Sequence, residues 1–357
     1  MSDPRDGLFF VPRGAARPVV QPGEFPFAAA FLDHGHINGQ TTALLQAGAT
    51  LRQVFDPDPA KVAAFCEQFP DAKPVDSFAA ILDDPEIRLV VAAAVPSERA
   101  AIGLQAMAAG KDYFTDKSPF TTLEQLAAVR AAVAESGRKY LVYYAERLHN
   151  APTFYAGELI REGAIGRVLQ VLIMAPHNLN PASRPAWFFD KERYGGILTD
   201  IGSHQFEQFL YYAGAAGGSL NYARAANLAH PESPGLEDFG EASLTLDNGA
   251  SAYCRVDWFT PAASRTWGDG RAFVLGTDGY LEVRKNVDAG NPAGEPCVVL
   301  VNHDEERVIT FDGSEPFPFF GRMILDCLDR TENAMTQEHA FTAAELSLQA
   351  QALADAG

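Results

Sequence analysis

Residues 27–39 read Phe-Ala-Ala-Ala-Phe-Leu-Asp-His-Gly-His-Ile-Asn-Gly and decide the fold. A short apolar strand, Phe27–Leu32, enters a glycine-containing turn, and a helix follows over Gly39–Ala47. This alternation of apolar strand and helix continues along the chain, with further strands predicted at Leu51–Phe55, Leu89–Val95, Lys111–Thr115 and Tyr140–Tyr144. Continuously apolar strands that alternate with helices indicate an α/β protein with a parallel, doubly wound sheet.

The turn after the first strand resembles a weakened dinucleotide-binding motif. That motif is Gly-x-Gly-x-x-Gly, and its middle glycine lets the backbone approach a pyrophosphate closely. The chain keeps the middle glycine as Gly35, whereas Asp33 replaces the first glycine and Asn38-Gly39 stand near the last. We therefore expect Gly35, His36 and Ile37 to contact a pyrophosphate.

An acidic residue, Asp56, ends the second strand, about 20 residues beyond the glycine turn. In dinucleotide-binding folds a carboxylate at this place binds the ribose hydroxyls of adenosine. Because it would repel a 2′-phosphate, Asp56 favours NAD as the cofactor and leaves NADP as the alternative. The other interpretation is that Asp56 only caps the helix that follows.

Beyond about residue 166 the pattern changes to strands with apolar residues at every second position. Asp247-Asn248-Gly249 and Thr277-Asp278-Gly279 predict hairpin turns, because Asn-Gly and Asp-Gly tolerate positive φ. We expect these strands to form a mostly antiparallel sheet, followed by helices in the tail.

Length, charge and cysteine content limit the class of protein. A chain of 357 residues is too long for one ordinary core, so two domains are expected. The net charge of −18 argues against nucleic acid or an anionic membrane as a partner, because there is no basic excess to neutralise phosphates. Four dispersed cysteines without Cys-x-x-Cys indicate a reducing compartment, and neither a membrane span nor a secretory signal is recognisable. We expect a cytoplasmic protein.

The segment Gly195-Gly-Ile-Leu-Thr-Asp200-Ile-Gly-Ser-His204 places a carboxylate and an imidazole four residues apart. A helix that begins near Thr199 and ends at Gly214 would put both side chains on one face. Such a pair can hold a hydroxyl and remove its proton, because the pKa of a free imidazole lies near neutrality. For the pair alone, a helix cap beside a surface histidine is the simpler interpretation.

A second candidate for substrate binding is the proline-containing loop at 176–194. His177 and Trp187 lie in this loop, and sugars bind to aromatic faces that have hydrogen-bond donors nearby. The aromatic residues could instead pack the loop onto the sheet. Tyr144 and Arg147, at the end of the last parallel strand, are also expected to face the substrate.

Four segments, in this order, resemble the Gfo/Idh/MocA family of NAD(P)-dependent sugar and inositol dehydrogenases. Val95-Pro96-Ser97 resembles the Thr-Pro-Asn turn of that family, and Asp116-Lys117-Ser118-Pro119 resembles its Glu-Lys-Pro motif. Residues 158–166 resemble the helix and turn that open the substrate domain. The segment from Gly195 to His204 resembles the catalytic Gly-Gly-x-x-x-Asp-x-x-x-His. The likeness covers nearly the whole chain from residue 27 to residue 354.

The resemblance implies a Rossmann domain and a second α/β domain with a large open sheet. The organisation then comprises an irregular N-terminal arm at 1–25, a Rossmann dinucleotide-binding domain at 26–147, a substrate and oligomerisation domain at 148–330 and a C-terminal helix at 331–357.

The resemblance also implies roles for individual residues. Pro96, Ser97, Asp116 and Lys117 would bind the cofactor, and Lys117, Asp200 and His204 would be catalytic. We therefore expect an oxidoreductase that moves a hydride between nicotinamide and a secondary alcohol of a sugar, polyol or inositol-like substrate. His204 would take the hydroxyl proton and Lys117 would stabilise the alkoxide. The alternative role for Lys117 is to anchor the nicotinamide ribose.

A different function, a redox-silent sensor that binds dinucleotide or sugar, would suit the altered motifs at Asp33 and at Asp116-Lys117-Ser118. In either function a large apolar sheet face usually marks an interface. We expect a homodimer or homotetramer that associates through the open sheet.

A metal-dependent hydrolase or isomerase is the third interpretation. Asp200 and His204 would be ligands, and His177, His34 or His36 would complete the shell. Zinc needs about three protein ligands, and no His-rich spacing supplies them. We expect no metal site.

Overall fold

The computed structural model describes residues 17–291 and 294–357. The strands in this part are β1 Pro26–Ala30, β2 Thr50–Phe55, β3 Lys73–Pro74, β4 Leu89–Ala92, β5 Asp112–Asp116, β6 Tyr140–Tyr143, β7 Val168–Pro176, β8 Gly218–Ala226, β9 Phe239–Leu246, β10 Ser251–Asp257, β11 Arg271–Gly276, β12 Gly279–Arg284, β13 Cys297–Asn302 and β14 Glu306–Thr310. The α-helices in this part are α1 His36–Gln46, α2 Pro59–Gln68, α3 Phe78–Asp83, α4 Arg99–Ala108, α5 Leu123–Ser136, α6 Ala145–Leu148, α7 Ala151–Arg161, α8 Lys191–Tyr194, α9 Ile197–Asp200, α10 Gly202–Ala213, α11 Pro318–Asp329 and α12 Gln337–Ala356. Among the described residues, every helix is too short or too polar to cross a lipid bilayer.

The described residues of the predicted N-terminal arm, 17–25, form no regular element. Residues 1–16 of that arm lie outside the described residues.

One compact unit contains residues 17–143 and 316–341, and we call it the parallel-sheet unit. Its sheet has the strand order β3-β2-β1-β4-β5-β6, and every neighbouring pair is parallel. This is the order of a doubly wound dinucleotide-binding fold. Strands β4, β5 and β6 are buried along their whole length, as expected where helices cover both faces of a sheet. The predicted parallel sheet is confirmed.

Local signals set where the helices of this unit begin and end. The carboxylate of Asp58 accepts a hydrogen bond from the Ala60 N–H, and Pro59 occupies the first helical position of α2. Thr122 caps α5 in the same way, and Gly137 ends that helix with a left-handed φ of +61°. The short elements β3 and α3 were not predicted, because two and six residues carry too little periodicity.

The first strand ends earlier than predicted. It stops at Ala30, because Phe31 adopts a left-handed φ of +55°. The ring of Phe31 packs edge-on against Phe55 at 5.8 Å and Phe78 at 5.0 Å, which holds this conformation against its steric cost. The following residues therefore leave the sheet at once and form the turn.

A second compact unit contains residues 144–291, 294–315 and 342–357, and we call it the open-sheet unit. Its sheet has the order β14-β13-β12-β11-β7-β10-β9-β8. Among these described strands β7 and β10 are parallel, and all other neighbouring pairs are antiparallel. Helices α7 and α10 pack on one face of it. The predicted turn at Asp247-Asn248-Gly249 joins β9 to β10, and Gly249 has a φ of +86°. The predicted second sheet is confirmed.

The other face of this sheet carries several exposed apolar side chains. Phe273, Leu275 and Tyr222 are each more than a third exposed. The rings of Phe273 and Tyr280, on adjacent strands, stack at 5.2 Å. This is the face through which we predicted self-association.

The C-terminal part of the chain is divided between the two units at residues other than the predicted boundary between 330 and 331. Residues 316–341, including α11, belong to the parallel-sheet unit. The guanidinium of Arg330 pairs with Asp112 at 2.6 Å, and Gln337 Oε1 accepts a hydrogen bond from the Tyr140 N–H at 2.7 Å. Phe341 adds a ring contact with Phe120 at 6.1 Å. Such contacts between distant residues leave no periodic signal in the sequence.

Candidate functional site

The predicted cofactor-binding residues lie at the carboxyl ends of four neighbouring strands of the parallel-sheet unit. Gly35 stands at the start of α1, after β1, and Asp56 directly follows β2. Pro96 follows β4, and Asp116 ends β5. Open parallel sheets bind ligands at this edge. A groove of about 930 Å³, by contrast, lies at the opposite, amino-terminal edge and belongs to no predicted site.

The negative charge of Asp33, which departs from the glycine motif, is neutralised within the unit. Lys61 Nζ on α2 lies 2.5 Å from Asp33 Oδ1. Gly39 stands one residue beyond the last position of the motif, and a Cβ there would lie 3.2 Å from the hydroxyl of Tyr143. Helix α1 can therefore approach the sheet closely, as the last glycine of the motif normally allows.

Asp56 supports the turn directly. Its two oxygens accept hydrogen bonds from the N–H groups of Leu32 at 2.6 Å and Asp58 at 2.8 Å. Burial raises the pKa of Asp56 above its usual value. Asp58, and not Asp56, caps α2. The interpretation of Asp56 as the cap of that helix is therefore wrong.

Two histidines of the turn lie beside a buried carboxylate. His34 Nδ1 accepts a hydrogen bond from the His36 N–H at 3.1 Å, and His36 Nδ1 lies 3.0 Å from Asp116 Oδ1. Burial lowers the pKa of His34 well below its usual value, so this imidazole is neutral near neutral pH. Burial alone would raise the pKa of Asp116, but the charges of His36 and Arg99 outweigh burial and hold it below its usual range. The ionised Asp116 therefore orients His36 by accepting a hydrogen bond from its Nδ1–H.

Lys117 is buried, and Arg99 fixes the backbone around it. Arg99 has no exposed surface; its Nε donates to Ala94 O at 2.7 Å and its Nη1 donates to the carbonyls of Lys117 and Ser118. Its Nη2 lies 3.4 Å from Asp116 Oδ2. The Lys117–Ser118 peptide bond is cis. One buried guanidinium thus contacts three of the four residues of the segment that resembles the Glu-Lys-Pro motif.

The adjoining turn is anchored from α5. Ser97 O accepts a hydrogen bond from Gln125 Nε2 at 3.0 Å, and Pro96 is buried. With Asp33 paired to Lys61 and no side chain on Gly35, this edge of the sheet fits a dinucleotide.

His34, His36 and Asp116 form the one group in residues 17–291 and 294–357 whose possible metal-binding atoms all lie within 4.8 Å of one another. Oδ1 of Asp116 already accepts hydrogen bonds from His36 and the Lys117 N–H, and Arg99 lies beside Oδ2. A cation would have to compete with that guanidinium, so we assign the group no metal role. Asp200 and His204 belong to no such group in these ranges.

In the open-sheet unit, Gly195 and Gly196 both have left-handed φ values, +89° and +91°. A Cβ on Gly196 would lie 2.3 Å from Cδ of the buried Gln351. The first N–H groups of α9 donate hydrogen bonds to side chains. Ile197 N donates to Glu237 Oε2 at 2.8 Å, and Leu198 N donates to Gln351 Oε1 at 3.0 Å. The glycines and these acceptors together fix the entrance of the segment that carries Asp200 and His204.

Asp200 ends α9 and His204 lies in the first turn of α10, with one residue, Ile201, between the two helices. Both side chains are buried, so the interpretation as a surface histidine is wrong. Helix α10 ends at Gly214, as predicted, with a φ of +64°. Tyr144, also buried, meets the His204 ring edge-on at 6.2 Å.

The other predicted substrate-binding residues have different surroundings. Arg147 donates from Nε to Glu207 Oε1 at 2.6 Å, and its guanidinium stacks on Tyr211 at 4.1 Å. Its charge is therefore balanced by Glu207. His177 Nε2 lies 3.6 Å from Oε1 of the buried Glu146, a carboxyl on which the charge of His204 also acts.

Trp187 is 5% exposed and packs against Phe188 with ring centroids 4.3 Å apart. Arg184 stacks on Phe188 at 4.8 Å and donates from Nε to Leu179 O at 2.9 Å. These contacts favour packing of the loop over an open aromatic platform, and a role of Trp187 in substrate binding stays a prediction.

The residues that hold the predicted ones in place belong to no recognisable motif. They are Arg99 in the parallel-sheet unit and Glu146, Lys285 and Glu207 in the open-sheet unit. Glu146 and Lys285 lie 139 residues apart in the chain and 2.7 Å apart in the structure. The adjacency of Glu146 to Arg147 was the one available signal.

Comparisons with known proteins agree with both units. A family model described as "Oxidoreductase family, NAD-binding Rossmann fold" matches residues 32–144, and one described as "GFO/IDH/MocA C-terminal domain" matches residues 155–282. A solved structure of a candidate oxidoreductase from Erwinia carotovora atroseptica SCRI1043 is 46% identical, with a TM-score of 0.90, and covers 93% of this chain and 99% of that chain.

More distant proteins have named activities. D-xylose dehydrogenase of Paenarthrobacter nicotinovorans is 28% identical over 150 residues, which are 41% of this chain and 38% of that enzyme. The chain thus matches about two fifths of the length of that curated relative. A levoglucosan dehydrogenase solved with NADH and levoglucosan is 19% identical, covers 93% of this chain and 97% of its own, and has a TM-score of 0.74. At that identity it shows a shared fold.

Proposed function

Because this chain belongs to the Gfo/Idh/MocA family of oxidoreductases, we propose that it is an NAD(P)-dependent dehydrogenase. The substrate would be a sugar, polyol or inositol-like molecule with a secondary alcohol. The observation that carries the proposal is the pair Asp200 and His204, buried on a segment whose glycine entrance is held by Glu237 and Gln351. The named dehydrogenases among the relatives support the reaction class.

In this proposal the chain supplies proton transfer and charge stabilisation. His204 removes the proton of the reacting hydroxyl, and Asp200 accepts a hydrogen bond from a neighbouring hydroxyl. The ammonium of Lys117 stabilises the negative charge that develops on the substrate oxygen, an interaction that gains strength in a dry environment. Bound nicotinamide supplies hydride transfer.

We propose NAD as the preferred cofactor. The carboxylate of Asp56 lies at the end of β2, accepts two backbone N–H groups and would repel a 2′-phosphate. Calorimetric titration with NAD⁺ and NADP⁺ tests this preference, and Asp56→Asn is expected to reduce it. Equal affinity of the unchanged protein for both nucleotides would contradict it.

A turnover experiment tests the reaction. The protein is screened with neutral aldoses, polyols and cyclitols, and the absorbance of reduced nicotinamide is followed. His204→Ala is expected to lower kcat by roughly 10²–10⁴-fold, because a general base is lost. His303→Ala, in an exposed turn, is the matched control and should leave kcat unchanged. An unchanged kcat for His204→Ala would remove the proposed role.

No observation favours the redox-silent sensor, and we do not propose it. We keep self-association through the exposed apolar face around Phe273 and Leu275 as a proposal, in the form of a homodimer or homotetramer. Sedimentation of a monomer would contradict it. The cytoplasmic location stays a prediction.

A further inference from the structure

A buried ion pair lies beside His204 in the open-sheet unit. Lys285 Nζ donates to Glu146 Oε2 at 2.7 Å, and both residues are less than 10% exposed. Gln205, the residue after His204, donates from Nε2 to the same oxygen at 2.9 Å. The charges of His204 and His177 are close enough to act on the Glu146 carboxyl.

These contacts use only one of the two carboxylate oxygens of Glu146. Oε1 is buried and has no hydrogen-bond partner among residues 17–291 and 294–357, and the same holds for Gln205 Oε1. Nε2 of His177 lies 3.6 Å from Glu146 Oε1, which is beyond hydrogen-bond length. Buried polar atoms of native proteins rarely lack a partner, so this oxygen indicates a place where a donor binds.

The chemistry of the donor follows from the charge of Glu146. Burial would raise the pKa of Glu146, but Lys285, His204 and His177 hold it well below its usual range, so the side chain is a carboxylate. A carboxylate can only accept hydrogen bonds. A ligand hydroxyl suits Oε1 because it can donate a hydrogen bond, whereas an ionised carboxylate of a ligand has no proton to donate there.

We propose that Glu146 is a substrate-binding residue that accepts a hydrogen bond from a substrate hydroxyl and selects neutral polyhydroxy compounds against their carboxylated counterparts. This inference rests on the proposed function and narrows its substrate class. Lys285 and Gln205 are positioning residues, because they hold the second oxygen and so fix the direction of the first.

The test compares Glu146→Gln with the unchanged enzyme on the neutral aldose or cyclitol of highest turnover and on the matching uronic or aldonic acid. The kcat/KM for the neutral compound should fall roughly 10- to 100-fold, mainly through KM, because a hydrogen bond to a charged group is lost. Discrimination against the acid should fall as well. Glu241→Gln, on the open face of the sheet, is the matched control and should leave both values unchanged.

A buried lysine without its carboxylate could unfold Glu146→Gln, so the double variant Glu146→Gln/Lys285→Met is made in parallel. It removes both charges and should show the same loss of discrimination. Calorimetric binding of the polyol repeats the comparison without turnover. A KM and a binding constant within about twofold of the unchanged enzyme would overturn the inference, since hydrogen bonds of this kind contribute more than that. Absence of turnover in the unchanged protein would instead count against the proposed function.

Discussion

Gly196→Ala should be among the most damaging small substitutions in this chain. At φ +91° and ψ 160° the backbone is in a region that only glycine occupies readily, which costs another residue about 1–3 kcal/mol. The new Cβ would also lie 2.3 Å from Gln351 Cδ. If Gln351 moves, Leu198 N–H loses its acceptor, which costs about 1–3 kcal/mol more. We expect the free energy of unfolding to fall by about 2–6 kcal/mol in total.

Urea denaturation of a small set of variants separates the two causes. Gly163→Ala is the matched control, because Gly163 has a φ of +86° with no atom within 4 Å of the added Cβ. It should cost about 1–2 kcal/mol. In a Gln351→Ala background, Gly196→Ala should lose its steric part and cost only about 1–3 kcal/mol. Equal costs in both backgrounds would refute the steric argument. The kcat should fall along with stability, because Asp200 follows four residues later.

Three further predictions concern the parallel-sheet unit. Lys61→Met should weaken NAD⁺ binding roughly 5- to 10-fold by calorimetry, because it exposes the charge of Asp33, and Asp33→Asn in the same chain should restore it. Stability should fall as pH drops below about 6.5, by at most about 1.4 kcal/mol per pH unit, because unfolded His34 takes up a proton that the buried imidazole does not. In His34→Gln the free energy of unfolding, measured by denaturation at pH values either side of about 6.5, should depend less steeply on pH. An unchanged slope of that free energy against pH would contradict this. Arg99→Met should lower the free energy of unfolding by about 3–5 kcal/mol, because it leaves the buried Asp116 without its guanidinium partner. Thermal or urea unfolding measures this change. A loss as small as that of a surface substitution would show that the pair is dispensable.

Most of the fold could be predicted because its signals are local. The continuous apolar runs of β1, β4 and β6 require cover on both faces, and the alternation along β10 and β11 requires cover on one. The exceptions have local causes that a periodic pattern does not contain. The left-handed Phe31 shortens β1 because it is held by rings from elsewhere in the chain.

The candidate site was predicted less completely, because its residues are fixed by partners that are distant in sequence. Asp200 and His204 form a motif within one short segment and could be found. Arg147 was expected to face substrate, but its partner Glu207 lies 60 residues away and could not be foreseen. Glu146 was overlooked for the same reason. Buried charges appear in a sequence as ordinary polar residues until the structure shows what neutralises them.

The same argument changes how the altered dinucleotide motif is interpreted. Read alone, Asp33 in place of a glycine indicates weakened cofactor binding and motivated the sensor hypothesis. The structure pairs that charge with Lys61, 28 residues on, and Gly39 leaves α1 free to pack close to the hydroxyl of Tyr143. The charge that this departure from the motif introduces is therefore balanced by a residue outside the motif. Loss of function should be inferred from such a departure only when the compensating partner is missing as well.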